Sequence, residues 1–185
     1  MTVDAATSSI SGFFHIGGSN VSGADGDGTL NIRNGGNVTS LNFSDIGRSA
    51  DSTGLVRVDS GSTWNTGPLT VGELGDGTLE ITGAATVSSN SASDIGRVAG
   101  STGTVTVEGT NSRWTVTGDF DVGRDGTGTL EITGGGRVEM NGAALTASYI
   151  GRFGTGEGDV TVSSGGSWGN MRNLYIGEGG TGTLT

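Results

Sequence analysis

Carboxylate side chains recur at fixed places in this 185-residue sequence, and they are the first candidates for catalytic residues. Asp45, Asp94 and Asp121 each directly precede an Ile-Gly or Val-Gly dipeptide. Two neighbouring carboxylates form the catalytic pair of most glycosidases, one acting as acid and the other as base or nucleophile. A molecule needs such a pair once, whereas these aspartates recur with the sequence repeat. We therefore predict no catalytic residue and no enzyme activity, and we interpret the three aspartates as solvated or turn-forming side chains.

Arginines follow the same dipeptides and supply the opposite charge. Three of them lie three residues after an aspartate, which predicts a charge ladder along one edge of the fold, formed by the pairs Asp45–Arg48, Asp94–Arg97 and Asp121–Arg124. Exposed ion pairs contribute roughly 0–1 kcal/mol, so the ladder is expected to favour register and solubility more than stability. A site for sulfate or carboxylate groups on the arginine column, which Arg152 continues, is the alternative interpretation.

Four further aspartates lie in the glycine-rich segments and are candidate calcium ligands: Asp25, Asp27, Asp76 and Asp125. Oxygen ligands of this kind suit calcium. Calcium-binding β-rolls, however, repeat every nine residues or so with an aspartate at a fixed place, and this sequence has a longer period. Turn-forming aspartates are the preferred interpretation and calcium at a corner is the alternative. No cofactor is predicted.

Composition excludes several classes of partner and fold. The 19 acidic residues against nine arginines give a net charge of −10, which repels nucleic acid and anionic membrane surfaces. Cysteine is absent, so disulfides and thiol chemistry are excluded. Apolar runs are far shorter than the roughly 20 residues of a membrane-spanning helix, so no membrane insertion is expected. The 39 glycines disfavour helices, and their periodic placement argues against disorder.

A repeat of about 27 residues organises the chain. Each unit contains a glycine followed by two aliphatic residues that alternate with polar ones, as in Gly77-Thr-Leu-Glu-Ile81, which is typical of a strand with one buried face. The dipeptides that divide the units begin at positions 16, 46, 71, 95, 122, 150 and 176.

Large and small residues alternate from one unit to the next. A third strand-like segment carries in turn Val38, Trp64, Val87, Trp114, Val138 and Trp168. Two positions before each dipeptide, serine follows the valine units and Leu or Phe follows the tryptophan units. Because tryptophan is large enough to fill space beside more than one unit, small neighbours are expected where it packs.

Three short strands per unit, separated by glycine-rich corners, predict an all-β fold, a parallel β-solenoid of about seven coils in which equivalent strands stack. Parallel crossovers are usually right-handed, and we expect the same here. An antiparallel sandwich is the competing fold, but it would pair consecutive strands, which differ in type. The predicted core is Ile46, Trp64, Val71, Ile95, Trp114, Val122, Ile150 and Trp168.

The run from Ile95 to Met140, with its alternating "IGRxxGSxGxVxVxxxGSxW" and "IGxxxGxGxLxIxxGGxV" patterns, resembles the repeats of bacterial autotransporter passengers and of PEP-CTERM-associated surface proteins. The resemblance covers nearly all of residues 16–185. It implies an extracellular or cell-surface location and a structural or adhesive role.

Residues 1–15 are interpreted as a partial N-terminal coil and 16–185 as the solenoid repeats, the last coil being incomplete. The chain is therefore expected to be a segment of a longer protein. The predicted function is that of a rigid spacer or display rod in a secreted or cell-surface bacterial protein. The alternatives are a fibre subunit that stacks end to end with itself, an adhesin for cell-surface glycans, and a carbohydrate-active enzyme.

Overall fold

The computed structural model describes residues 1–19, 25–142, 146–170 and 173–185, and these contain 22 strands and no helix. The strands form three parallel sheets, A, B and C, which the chain visits in that order on every turn. The fold is a parallel β-solenoid of about seven coils, as predicted.

Sheet A has the longest strands and contains the alternating aliphatic segments. Its strands are β1 (Thr2–Asp4), β4 (Gly28–Arg33), β7 (Thr53–Val58), β10 (Asp76–Ile81), β13 (Thr102–Glu108), β16 (Thr127–Thr133), β19 (Glu157–Val162) and β22 (Thr181–Leu184).

Sheet B contains the tryptophan and valine segments. Its strands are β2 (Thr7–Ile10), β5 (Asn37–Ser40), β8 (Thr63–Thr66), β11 (Thr86–Ser89), β14 (Arg113–Val116), β17 (Arg137–Met140) and β20 (Ser167–Asn170).

Sheet C contains the segments that end in the apolar-glycine dipeptides. Its strands are β3 (Phe14–Ile16), β6 (Ser44–Ile46), β9 (Leu69–Val71), β12 (Ser93–Ile95), β15 (Phe120–Val122), β18 (Ala147–Ile150) and β21 (Asn173–Ile176).

Equivalent residues of successive coils are hydrogen-bonded neighbours. In sheet A, Gly77 is paired with Gly54 on one side and Gly103 on the other, and Leu79 is likewise paired with Val56 and Val105. The backbone of one coil is therefore satisfied by the coils above and below it. This register places the inward side chains of successive coils against one another, which creates one continuous apolar core.

The predicted alternation of large and small residues is confirmed in the core. Sheet B stacks Trp64 between Val38 and Val87, and sheet C stacks Phe120 between two serines. The ring of Trp114 packs edge-on against Phe120, with 5.2 Å between their centroids. The large rings thus fill space next to smaller residues of the adjoining coils.

The indole N–H groups show that the core is not uniformly apolar. Trp64 donates from Nε1 to the Ser40 hydroxyl at 2.9 Å, and Trp114 donates to Ser89 at 3.0 Å. Trp168, predicted to be core, is only partly buried, and Met140 occupies the position that corresponds to those serines. Among the described residues, the buried Nε1 of Trp168 therefore has no acceptor.

Corners between sheets C and A require glycine. Gly72 has φ of +76°, and a Cβ added there would lie 2.3 Å from the Thr102 carbonyl oxygen of the next coil. A Cβ on Gly77 would lie 2.3 Å from the Gly72 nitrogen. The backbones are thus in contact, which explains the two glycine columns in the sequence.

Two expectations about the ends can be compared with the structure. Residues 1–15, expected as a partial coil, contribute to all three sheets, through β1, β2 and most of β3. In the last coil, β22 pairs with β19 in sheet A. Within the described ranges, no helical segment has the length and apolar character needed to cross a membrane.

Candidate functional site

The outward face of sheet C brings together the recurring aspartates and arginines of the predicted charge ladder. Its strands are so short that each has one central outward position. A second outward side chain comes from the corner that follows, directly after the apolar-glycine dipeptide. The central column consists of His15, Asp45, Thr70, Asp94, Asp121, Tyr149 and Tyr175. The following column consists of Arg48, Glu73, Arg97, Arg124, Arg152 and Glu178.

Ion pairs connect these two columns, as the predicted charge ladder requires. Asp45 pairs with Arg48 and Asp94 with Arg97, each at 3.4 Å. The third predicted pair is wrong: within the described ranges, Asp121 pairs with Arg152 of the next coil at 2.8 Å, and not with Arg124.

Arg124 and Arg152 both reach back to the preceding coil, although their corners differ in length. From Val122 to the next sheet-A glycine, Gly128, is six residues, whereas the corresponding corner between Ile150 and Gly158 takes eight. Arg152 lies on the longer corner and reaches back to Asp121. Arg124, on the shorter corner, pairs with Asp94 of the preceding coil at 3.5 Å.

Glu73 is a member of the ladder that the sequence interpretation missed. Its carboxylate accepts hydrogen bonds from Arg97 at 2.8 and 3.1 Å and lies 3.4 Å from Arg48. The signal was present in the sequence, because Glu73 follows Val71-Gly72 at the position that Arg48 takes after Ile46-Gly47. The ladder therefore continues without a gap between Arg48 and Arg97.

The aspartates are not the solvated turn residues that the sequence suggested. They lie in strands, and Asp45 and Asp121 are only 2% and 1% exposed. Each is flanked by the strands above and below, and the arginines from the corners cover it. The expected position was wrong because a repeat pattern does not show how far an arginine folds back over its neighbours.

Burial changes the acidity of these groups. Loss of hydration raises the pKa of Asp121 to about 7; the Asp94 charge acts in the same direction and the Arg152 guanidinium opposes it. Burial likewise raises the pKa of Asp45 and that of Asp94, against the opposing charges of Arg48 and Arg124 respectively. Asp94 and Asp121 are directly opposite each other in the β12–β15 pair.

Aromatic side chains lie at both ends of this charged strip. Phe13 and Phe43 are 62% and 47% exposed, with 6.0 Å between their ring centroids. At the other end Tyr149 and Tyr175 are stacked at 5.1 Å with 13° between their planes. The guanidinium of Arg152 lies 3.9 Å from the centre of the Tyr149 ring.

A shallow groove of about 480 Å³ joins the first aromatic pair to the ladder. It is lined by Phe13, His15, Phe43, Asp45, Arg48, Glu73 and Arg97. His15 lies 3.0 Å from Asp45, between the Nδ1 and Oδ2 atoms. The groove therefore combines exposed apolar rings with planar hydrogen-bonding groups in a concave surface.

The candidate calcium ligands are spread over several corners. Asp25, Asp27 and Asp76 are exposed, and Asp125 is half-buried. Asp27 accepts a hydrogen bond from the Thr53 hydroxyl. In the part of the chain that the structure describes, no group of three or more His, Asp or Glu side chains is placed to hold a metal ion.

Comparisons of the chain with protein-family models, with curated proteins and with solved structures found no match.

Proposed function

We propose that the chain is a rigid structural segment of a secreted or cell-surface bacterial protein, where it acts as a spacer or display rod. The observation that carries this proposal is the unbroken register: three sheets run through all the coils over one shared core. The extracellular location is supported by the resemblance of the repeats to those of bacterial surface proteins.

Stiffness follows from how the coils are joined. Each coil is hydrogen-bonded to its neighbours in three sheets, so bending the axis would stretch backbone hydrogen bonds in at least one of them. Stacking at roughly 4.8 Å per coil gives a length of ~30 Å for seven coils. Such a segment extends a protein by a fixed distance, which a flexible linker does not.

Small-angle X-ray scattering of the purified chain tests the mechanical part of this proposal. The expected result is one rigid particle whose longest dimension agrees with the solenoid and does not change with ionic strength. A flexible, expanded profile would contradict it, and growth with concentration would favour the end-to-end fibre. Labelling of intact cells that express the parent protein, with antibodies against this chain, tests the location.

A carbohydrate-active enzyme is the second candidate function, and one observation favours it. Asp94 and Asp121 are adjacent carboxyl groups, and the raised pKa of Asp121 would let it act as an acid near neutral pH. Turnover assays on polysaccharides with the wild-type chain and with Asp121→Asn distinguish this candidate from the rod. Cleavage that disappears in the variant would support the enzyme; no cleavage supports the rod.

A further inference from the structure

The aromatic residues are divided sharply between the interior and one outer face. The chain has ten, of which three tryptophans and two phenylalanines, Phe14 and Phe120, belong to the core or pack against it. The other five lie on the outward side of sheet C or on the segments directly before and after its strands: Phe13, Phe43, Tyr149, Phe153 and Tyr175. The outward positions of sheets A and B carry none of the ten.

This division is not required by the fold. Exposed aromatic rings contribute nothing to the solenoid core, and the outward faces of sheets A and B consist mainly of small polar residues and charged pairs. Apolar rings that stay in water and are grouped on one face usually mark a binding surface. The rings here form two clusters, so the surface has two contact points.

Their spacing describes an elongated ligand. Phe43 precedes β6 and Tyr149 lies in β18, four strands apart in sheet C, which corresponds to ~19 Å at the usual strand spacing. Between the two clusters runs the ladder of carboxylates and arginines, parallel to the solenoid axis. A ligand that contacts both clusters must therefore be extended and must offer hydrogen-bonding groups along its length.

The charge of the ladder indicates what those groups are. Between the clusters, four carboxylates face four arginines: Asp45, Glu73, Asp94 and Asp121 with Arg48, Arg97, Arg124 and Arg152. The strip is therefore balanced, while the whole chain has a net charge of −10 and repels polyanions. The four arginine side chains are 21–35% exposed and can donate hydrogen bonds to ligand hydroxyl groups, while the buried carboxylates beneath them balance their charge, which suits a neutral ligand.

From this arrangement we propose that the outward face of sheet C binds a neutral polysaccharide lying along the solenoid axis. Sugar rings pack against Phe13 and Phe43 at one end and against the exposed ring of Tyr175 at the other. Between them the partly exposed arginines of the ladder donate hydrogen bonds to sugar hydroxyl groups. Aromatic rings present the flat apolar surface that a pyranose ring needs, and the groove beside Phe13 and Phe43 provides a concave seat.

Isothermal titration calorimetry with defined hexasaccharides tests the proposal. The neutral probes are cellohexaose, mannohexaose and chitohexaose, and the anionic probe is hexagalacturonate. The variants are Phe13→Ser and Tyr175→Ser, one at each cluster, since both side chains are substantially exposed and their loss leaves the core unchanged. The matched control is Leu55→Ser, which removes an outward apolar side chain from sheet A. Circular dichroism verifies that all variants are folded.

The expected result is binding of at least one neutral hexasaccharide, weakened about tenfold by each aromatic substitution and unchanged by Leu55→Ser. Absence of binding to all three neutral probes would overturn the proposal. So would binding that the aromatic substitutions leave unchanged, or binding of hexagalacturonate alone. None of these outcomes affects the rod function, because that depends on the shape measured by scattering.

Discussion

Two ion pairs of nearly equal length, one on sheet A and one on sheet C, have very different surroundings. Arg57 and Glu80 on sheet A are 2.7 Å apart, with side chains 45% and 37% exposed. Arg152 and Asp121 on sheet C are 2.8 Å apart, with side chains 21% and 2% exposed. Because water competes with the first pair and not with the second, the two distances do not indicate equal strength.

Strand length explains the difference between the two faces. β10 has six residues, so its outward residues Thr78 and Glu80 lie away from the corners and remain open to water. β12 has three residues, so its one outward side chain, Asp94, lies within reach of Arg97 from the corner that follows. A short strand thus brings corner residues over its own face, and that covers the aspartates of sheet C.

Loss of the shared core is expected to have the largest effect on both faces. Trp114→Ala removes a fully buried ring that packs against Phe120, and it should lower the free energy of unfolding by ~3–5 kcal/mol. Urea denaturation monitored by circular dichroism measures this. A loss under about 1 kcal/mol would show that the tryptophan column does not support the sheets.

Arginine removal compares the two faces directly. Arg152→Ala should cost ~2–4 kcal/mol because it leaves Asp121 buried without its partner. Arg57→Ala should cost less than ~1 kcal/mol, since Glu80 is exposed and hydrated. Both values come from the same urea titrations at pH 8, and equal losses would contradict the role of burial.

Stability should also depend on pH through sheet C. The pKa of Asp121 is raised from 3.8 to about 7, so its proton is bound more tightly in the folded chain than in the unfolded one. The resulting stabilisation is complete below about pH 4 and is lost as the pH rises to about 7, an effect on the order of 4 kcal/mol.

Asp121→Asn should flatten this fall in stability between pH 4 and pH 7. Asp45 and Asp94, whose pKa values are also raised, would maintain part of the slope. Glu80→Gln on sheet A is the matched control and should leave the slope as in the wild type. Thermal unfolding across the pH range measures all three proteins, and an unchanged slope in Asp121→Asn would contradict the prediction.

Salt should produce the smallest difference. At about 1 M NaCl the Debye length falls to ~3 Å, which screens exposed charges far more than buried ones. Arg57→Ala should therefore destabilise the chain less at high salt than at low salt. This change in the free energy of unfolding should be below ~0.5 kcal/mol. The loss in Arg152→Ala should remain. Repeating the urea titrations in high salt shows whether the two pairs respond differently.

Much of the fold could be predicted from the sequence because each coil of a parallel solenoid repeats the same short pattern. An aliphatic pair recurs after glycine, as in Leu79 and Ile81. This pattern predicts where a strand lies, which of its side chains face the core and to which coil it belongs. The alternation of Trp64 with Val87 likewise specified which coils lie together. The ladder was predicted in two of its pairs, since Asp45–Arg48 and Asp94–Arg97 lie within single coils.

The remainder of the candidate site depends on contacts between coils. Arg152 lies 31 residues after Asp121, and its side chain reaches back across one coil to pair with it. The orphaned indole of Trp168 arises in the same way, from Met140 in the preceding coil. Neither contact has a signature within one repeat.

The sequence by itself determined the coil, its register and its core, because residues one period apart must stack and their inward side chains must match. Only the tertiary structure decided how deeply the aspartates are buried, which arginine each one meets, and where the exposed rings gather. Those properties depend on how far corner side chains extend across neighbouring coils. That distance is set by packing in three dimensions and not by the spacing of residues along the chain.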